Sequence, residues 1–255
     1  MTTSAPLVFI TGASSGIGQA LAASFHDAGY RLALVARRTA EIEAWAKSRG
    51  LGADRYRVYK ADVAQTDSIV AAGNDCIAQQ GLPDVVIANA GISIGIDTAE
   101  RADLDVLSQT FATNNVGLAA TFHPFVRAMV QRGSGRLVGI GSVASIRGLP
   151  GHGAYCASKA GVVAYCESLR GELHNSGVKV VTLCPGYIDT PLNHEIAAAI
   201  ANPSFAEDYA RVSIPLGRAG GADEVAAAYA FLASDDASFV TGAMLVIDGG
   251  QTAVM

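Results

Sequence analysis

The chain has 255 residues, half of them hydrophobic and 16% charged, with 28 glycines and a formal net charge of -5. That length and apolar share suit one α/β domain with a substantial buried core and exclude a disordered chain. The acidic balance and the lack of any Lys/Arg-rich run remove the electrostatic footprint of a nucleic-acid or anionic-membrane binder, so small molecules are the expected partners.

Residues 1–6 carry no basic segment, and the apolar stretch after them is broken at Gly12, so no signal peptide is expected. No apolar run nears the roughly 20 residues of a membrane-spanning helix. Cys76, Cys156, Cys166 and Cys184 have neither metal-ligand nor disulfide-framework spacing, which fits a reducing cytoplasm and no metal. From there short apolar runs alternate with helix-length amphipathic ones, the pattern of βα units around a parallel sheet.

Leu7-Val8-Phe9-Ile10-Thr11 reads as a buried strand running into Gly12-x-x-x-Gly16-x-Gly18 and an Ala-rich helix over 16–28. Glycines there let backbone amides approach a pyrophosphate, and the helix N-terminus offers free N–H groups and the positive end of its dipole. A ligand-free glycine connector is the bland alternative; the position directly after the first strand argues against it. The second strand, 31–36, ends in Ala36-Arg37-Arg38, where a fold using NAD carries an acid for the adenosine 2′-hydroxyl. Arginine matches a 2′-phosphate in charge and fork geometry, so NADP is expected with Arg37 as the main contact. Arg38, Ser14 and Ser15 are further donors, and NAD is the weaker alternative. An ordinary solvated helix lead-in is the competing reading.

A helix over 40–48, a strand over 56–60, a helix over 66–80 and a strand over 84–88 follow. The stretch over 101–131 is expected to be a helix kinked or split at Pro124, because proline removes a helix donor. A strand over 136–141 leads to Ser142, and a helix over 153–175 carries Tyr155 and Lys159 at i and i+4, on one face. An ammonium beside a phenol stabilises the phenolate, which suits Tyr155 to acid/base work near neutral pH. Ser142, at the C-terminal edge of the sheet, is placed to bond a carbonyl or alkoxide. A lone Tyr-x-x-x-Lys is more often a surface pair; the strand-end Ser and the nucleotide turn make it specific.

After a strand over 178–184 comes an excursion with Pro191, Pro203, Pro215 and Gly217-Arg218-Ala219-Gly220-Gly221, too long for a strand-to-helix link and read as a lid. A helix over 222–233 and a strand over 243–247 complete a doubly wound, seven-stranded parallel sheet flanked by helices. Ser93, Ile94, Val143, Ile146, His152, Tyr187, Leu192 and the 191–215 segment are expected to line a mainly apolar pocket with no fixed charged anchor, favouring a neutral carbonyl compound. His123 and His194 read as structural or exposed; His152, just before the Tyr155 helix, is the histidine nearest a substrate.

Together, Thr11-Gly12-x-x-x-Gly16-x-Gly18, Asp62-Val63, Asn89-Ala90-Gly91, Asn114-x-x-Gly117, Ser142, Tyr155-x-x-x-Lys159, Pro185-Gly186-x-x-x-Thr190 and Ile247-Asp248-Gly249-Gly250 resemble the short-chain dehydrogenase/reductase family over essentially the whole chain. The resemblance implies a single-domain Rossmann fold over residues 1–255, with a substrate lid at about 187–220, working as an NADP-dependent carbonyl reductase or alcohol dehydrogenase. It implies Tyr155 as acid/base, Lys159 on the nicotinamide ribose, Ser142 on the substrate carbonyl and Asn114 holding a water in a proton relay. Asn115 competes for that last role, but the spacing to Gly117 prefers Asn114. The cofactor would lie on Gly12, Gly16, Ile17 and Gly18, with Asp62 and Val63 facing the adenine and Asn89, Ala90 and Gly91 the adenosine side. Pro185, Gly186, Ile188 and Thr190 would face the nicotinamide.

The family also implies a homodimer or homotetramer through the 101–131 and 153–175 helices, and the apolar end Ala253-Val254-Met255 offers a second contact. The C-terminal part resembles 3-oxoacyl-carrier-protein reductases, which supplies one alternative activity. A non-catalytic NADP-binding sensor or scaffold is another. A nucleotide-sugar epimerase or dehydratase would be expected to carry an extra C-terminal substrate domain.

Overall fold

A strand covered on both faces must be apolar throughout, and β1 (Leu7–Thr11) obeys this by dividing its side chains between two cores. Leu7 and Phe9 point to one, with Phe125 and Met129, and Val8 and Ile10 to the other, with Leu21, Phe25 and Tyr229. The computed structural model describes residues 5–199, 202 and 204–253. Its remaining strands are β2 (Arg31–Ala36), β3 (Tyr56–Lys60), β4 (Val85–Ala88), β5 (Gly135–Ile140), β6 (Val178–Pro185) and β7 (Met244–Ile247). All pair in parallel in the order β3-β2-β1-β4-β5-β6-β7, with Phe9 opposite both Ala33 and Val86. Strands are added in opposite directions on the two sides of β1, so a crevice opens beyond the C-terminal ends of β1 and β4.

The helices are α1 (Gly16–Asp27), α2 (Thr39–Ser48), α3 (Thr66–Gln80), α4 (Asp103–Phe111), α5 (Gly117–Arg132), α6 (Gly153–Glu172), α7 (Pro191–Ala199), α8 (Phe205–Ser213) and α9 (Ala222–Ala233). α1, α2 and α9 cover one face through Leu21, Ile42 and Val225; α3, α5 and α6 cover the other through Ile69, Phe122 and Val162. Among the described residues no helix is long and apolar enough to cross a membrane.

One expectation is corrected. The 101–131 stretch is not split at Pro124, which lies within the continuous α5 and packs on Gly73, where a Cβ would fall 2.7 Å from the proline ring. The break is a π-turn over Ala112–Val116. At its end Gly117 passes Val63 so tightly that a Cβ would lie 2.9 Å from the Val63 carbonyl oxygen. The extra residue of the π-turn directs Asn114 inward, where it is 2% exposed.

The excursion after β6 is largely helical, holding α7 and α8 and closed at its base by a parallel bridge between Ile188 and Gly220. Pro191 occupies the first position of α7, where a missing N–H costs no hydrogen bond, so this proline starts a helix. Pro203, Val254 and Met255 lie outside the described residues.

Candidate active site

The glycine turn builds one wall of the crevice. Gly16 has φ of +54°, a left-handed conformation without steric cost only for glycine, and a Cβ at Gly18 would lie 2.1 Å from the Gly12 carbonyl oxygen. No side chain caps α1 at Ser15, so the first N–H groups of the helix are left for a ligand. Asn89 holds the turn from the end of β4: its Nδ2 donates to the Thr11 and Gly12 carbonyls at 2.8 and 3.3 Å. Thr11 Oγ1 in turn accepts from the Asn89 and Ala90 amides, each at 3.1 Å. Asn89 and Ala90 therefore shape the floor of the crevice, and Asn89 and Gly91 are exposed in its lining.

At the rim, Arg38 Nη2 stands 3.5 Å from Ser14 Oγ while its Nε pairs with Glu41 at 2.8 Å. Arg37 lies across the rim from Asp62, at 3.8 Å. Both arginines are well exposed. It is Arg38 that meets the glycine turn, a detail β2 alone does not reveal. Asp62 Oδ1 accepts from the Ala64 amide at 3.0 Å, and Val63 is buried beneath Gly117.

A cleft of about 510 Å³ lies beyond the strand ends and brings together Ser142, Tyr155 and Lys159. Ser142 follows β5 by two residues and caps a short 3₁₀ turn, its Oγ accepting from the Ala144 amide at 3.1 Å. Ser145 locks that turn onto α6: its Oγ accepts from the Ser142 amide at 3.1 Å and donates to the Lys159 carbonyl at 2.8 Å. Lys159 is 5% exposed, donates from Nζ to the Ile140 carbonyl at 2.8 Å, and is pulled down by burial to about 8. Its Nζ lies 5.7 Å from the Tyr155 ring centre.

Burial pushes the Tyr155 phenol above its ordinary value, and a hydrogen bond with Ser142 opposes that rise. The expected lowering by Lys159 is therefore not what dominates. In this geometry the ammonium is turned to a main-chain carbonyl, and Ser142 is the group that favours the phenolate.

Asn114 is held on three sides. Its Nδ2 donates to the Ile92 carbonyl at 3.0 Å and to Ser158 Oγ at 2.9 Å, and its Oδ1 accepts from the Ile92 amide at 2.9 Å. Ser158 Oγ donates onward to the Tyr155 carbonyl at 2.7 Å. A Cβ on Gly91 would lie 3.2 Å from Asn114 Oδ1 and 3.4 Å from Lys159 Nζ, so these two groups converge over that glycine. Asn115 is instead bonded to the Ser158 carbonyl at 2.9 Å, on the far side of the helix pair.

Ser93, Val143, His152, Tyr187, Ile188, Thr190 and Leu192 line the cleft together with Ser15–Gly18, Pro185 and Gly186. Ile94 and Ile146 do not. The chain past Ser93 turns along the 148–152 loop, where the Ile96 amide donates to the Gly151 carbonyl at 2.8 Å, and Ile146 is 45% exposed at the end of the 3₁₀ turn. Sequence reasoning missed Ile92, Leu149, Pro150 and Gln251, while Ile196, Phe205 and Tyr209 come from the 191–215 segment expected there. Phe205 and Tyr209 stack at 5.7 Å, Tyr187 meets Tyr209 at 5.2 Å, and Gln251 Nε2 donates to the Tyr209 hydroxyl at 2.7 Å. The i, i+4 spacing of Phe205 and Tyr209 carried the signal for an aromatic helix face.

A glycine turn at the switch point of a parallel sheet, facing a Ser–Tyr–Lys group, defines a nucleotide-dependent enzyme of the Rossmann class. A family model described as enoyl-(acyl carrier protein) reductase matches residues 12–252. D-threitol dehydrogenase of Mycolicibacterium smegmatis is 37% identical over 246 residues, covering 96% of this chain and 92% of that one. The 3-oxoacyl-(acyl-carrier-protein) reductase of Salmonella typhimurium is 33% identical over 251 residues, 98% of this chain and 99% of its own. The crystal structure of a gluconate 5-dehydrogenase from Burkholderia cenocepacia, in complex with NADP and tartrate, superposes with a TM-score of 0.89 at 28% identity, covering 98% and 96% of the two chains. The chain belongs to the short-chain dehydrogenase/reductase family and is an NAD(P)-dependent oxidoreductase.

Proposed function

We propose that the protein is an NADP(H)-preferring carbonyl reductase/alcohol dehydrogenase, a single domain whose 187–220 segment closes over the substrate. The observation that carries this is the convergence of Ser142, Tyr155 and Lys159 in one cleft whose opposite wall is the glycine turn. The residues fit the cofactor: the turn admits no Cβ at Gly18, and Ser14 with Arg37 and Arg38 offers donors where a 2′-phosphate would lie. NADP in the solved gluconate 5-dehydrogenase supports that preference.

The nicotinamide, when bound, supplies or accepts the hydride at the substrate carbon. Ser142 Oγ holds the carbonyl oxygen, and Tyr155 gives its phenolic proton to that oxygen as negative charge develops there. In the reverse direction the phenolate takes the alcohol proton. A phenol raised by burial is protonated at neutral pH, which suits Tyr155 to the donor role in reduction. Lys159 and Ser142 balance the phenolate charge left behind. Asn114, anchored beside Lys159, holds the water through which the proton is replaced.

The test is oxidation of NADPH and NADH, followed at 340 nm, with a panel of ketones and β-ketoesters. No turnover of either cofactor with any of them would leave a non-catalytic role and sink the proposal.

The proposal extends to a homodimer or homotetramer in the cytoplasm. Leu104, Val130 and Tyr165 leave apolar surface on α4, α5 and α6, Val116 does so on the π-turn, and Phe231, Phe239 and Met244 do so on α9, the loop after it and β7. All four cysteines are free thiols, as a reducing compartment requires. A solution mass equal to the 26.1 kDa chain, by light scattering at micromolar concentration, would refute the assembly.

A further inference from the structure

Beside the catalytic cleft lies a second chamber of about 320 Å³, and the two share Val143, Leu149 and Gln251 as common walls. The chamber, open to water on one side, is otherwise lined by Val212 and Ser213 at the end of α8, by Thr252, and by Arg147. Arg147 is pinned: its Nη2 donates to the Thr252 carbonyl at 2.8 Å, 105 residues away in the chain. Thr252 is fixed in turn by Asp248 Oδ2, which accepts from its amide and its hydroxyl, each at 2.7 Å. The Asp248 carboxylate also accepts from the Gly250 amide at 2.9 Å, so its charge is satisfied within its own turn. Arg147 forms no ion pair with a carboxylate among the described residues.

A guanidinium held by a main-chain carbonyl, with most of its donors unused and apolar walls on either side, is pre-organised for a bidentate anion. A substrate whose carbonyl oxygen sits at Ser142 and Tyr155 would reach this chamber by extending past Val143 and Leu149, the walls the two cavities share. Resting on the reductase reading above, we infer that the natural substrate is an oxo acid, its carbonyl separated by a short apolar chain from a carboxylate bound by Arg147. The cleft itself has the mainly apolar lining expected from the sequence; the proposed anchor lies in the adjoining chamber, which Arg147 enters where the C-terminal turn folds against it.

The test uses a homologous series of methyl-ketone acids, with two to five carbons between carbonyl and carboxylate, each beside its methyl ester. The ratio of kcat/KM for acid over ester is measured with NADPH in the wild type, Arg147→Gln and Arg147→Lys, at low and high salt. The chamber is open to water, so a preference of about five- to tenfold for the acid is expected at low salt, peaking at one chain length. It should fall to about one in Arg147→Gln, survive in part in Arg147→Lys, and shrink with added salt. Calorimetric titration of hexanoate gives a readout independent of turnover: binding should weaken in Arg147→Gln and hold in Arg147→Lys. A wild-type ratio near one throughout the series, or a ratio unchanged in Arg147→Gln, overturns the anchor while ester reduction keeps the reductase reading. Hexanoate binding that depends on Arg147, with no carbonyl compound reduced, upholds the anchor and overturns the reductase reading instead.

Discussion

Replacing Tyr155 by Phe removes one oxygen and leaves the surrounding frame in place. Lys159 keeps its bond to the Ile140 carbonyl, Ser142 keeps its place in the 3₁₀ turn through Ala144 and Ser145, and the glycine turn is untouched. Cofactor affinity should therefore stay within about threefold of wild type, roughly 0.6 kcal/mol. Turnover loses the proton donor, whose place on the carbonyl oxygen no other side chain of the cleft can take. A positioned acid contributes about 10²- to 10⁴-fold, so kcat should fall by that factor, about 2.7 to 5.4 kcal/mol of barrier. Stability should not fall, because burial disfavours the phenol's ionised form and the ring itself is conserved. The assays are cofactor fluorescence titration, steady-state kinetics with one good ketone, and a thermal melt. If cofactor still binds and kcat stays within about tenfold, roughly 1.4 kcal/mol, the role given to Tyr155 is wrong.

Asn114→Ala strands the Ile92 amide and carbonyl and Ser158 Oγ in a buried place, and should cost about 3 kcal/mol, seen as a Tm lower by roughly 6–12 °C. An unchanged Tm would mean that water replaces the amide without loss. Lys159 is depressed from 10.5 to about 8 in the folded state, so between those values the unfolded chain binds more protons and this group's contribution to stability rises with pH. Lys159→Met should therefore be the more stable protein at pH 7, by up to about 3 kcal/mol, with the gap closing toward pH 10; denaturant melts at both pH values check the sign. Arg38→Ala should lower the kcat/KM ratio of NADPH over NADH by about tenfold and Arg37→Ala by less, both exposed but only Arg38 set against Ser14. The Ala36→Asp/Arg37→Ala pair should move the ratio toward NADH, and a ratio that ignores all three changes would refute the 2′-phosphate assignment.

The central strands were legible because each is a short, mainly apolar run, as a parallel sheet covered on both faces requires, while the edge strand β3 carries Arg57 and Lys60. The glycine turn, Ser142, and the Tyr155–Lys159 pair were legible for a local reason: helix and turn geometry decide which of these residues can share a face, and both act over a few residues. Where the chain depends on contacts between distant segments, the sequence was silent. The π-turn at Ala112–Val116 ends where Gly117 packs on Val63, more than fifty residues earlier in the chain, and Pro124 in the following helix drew attention to the wrong place. The lid helices were hidden by prolines that, in the folded chain, begin or border them. The Tyr155–Lys159 spacing indicated proximity, but which group tunes the phenol depended on Lys159 turning to Ile140 and Ser142 arriving from β5. Gln251 joins the cleft, and Arg147 meets Thr252 beside it, only because the turn after β7 folds back against the strand ends. A sequence states local preference; hydrogen-bond partners and pocket walls are chosen by the packing of elements far apart in the chain.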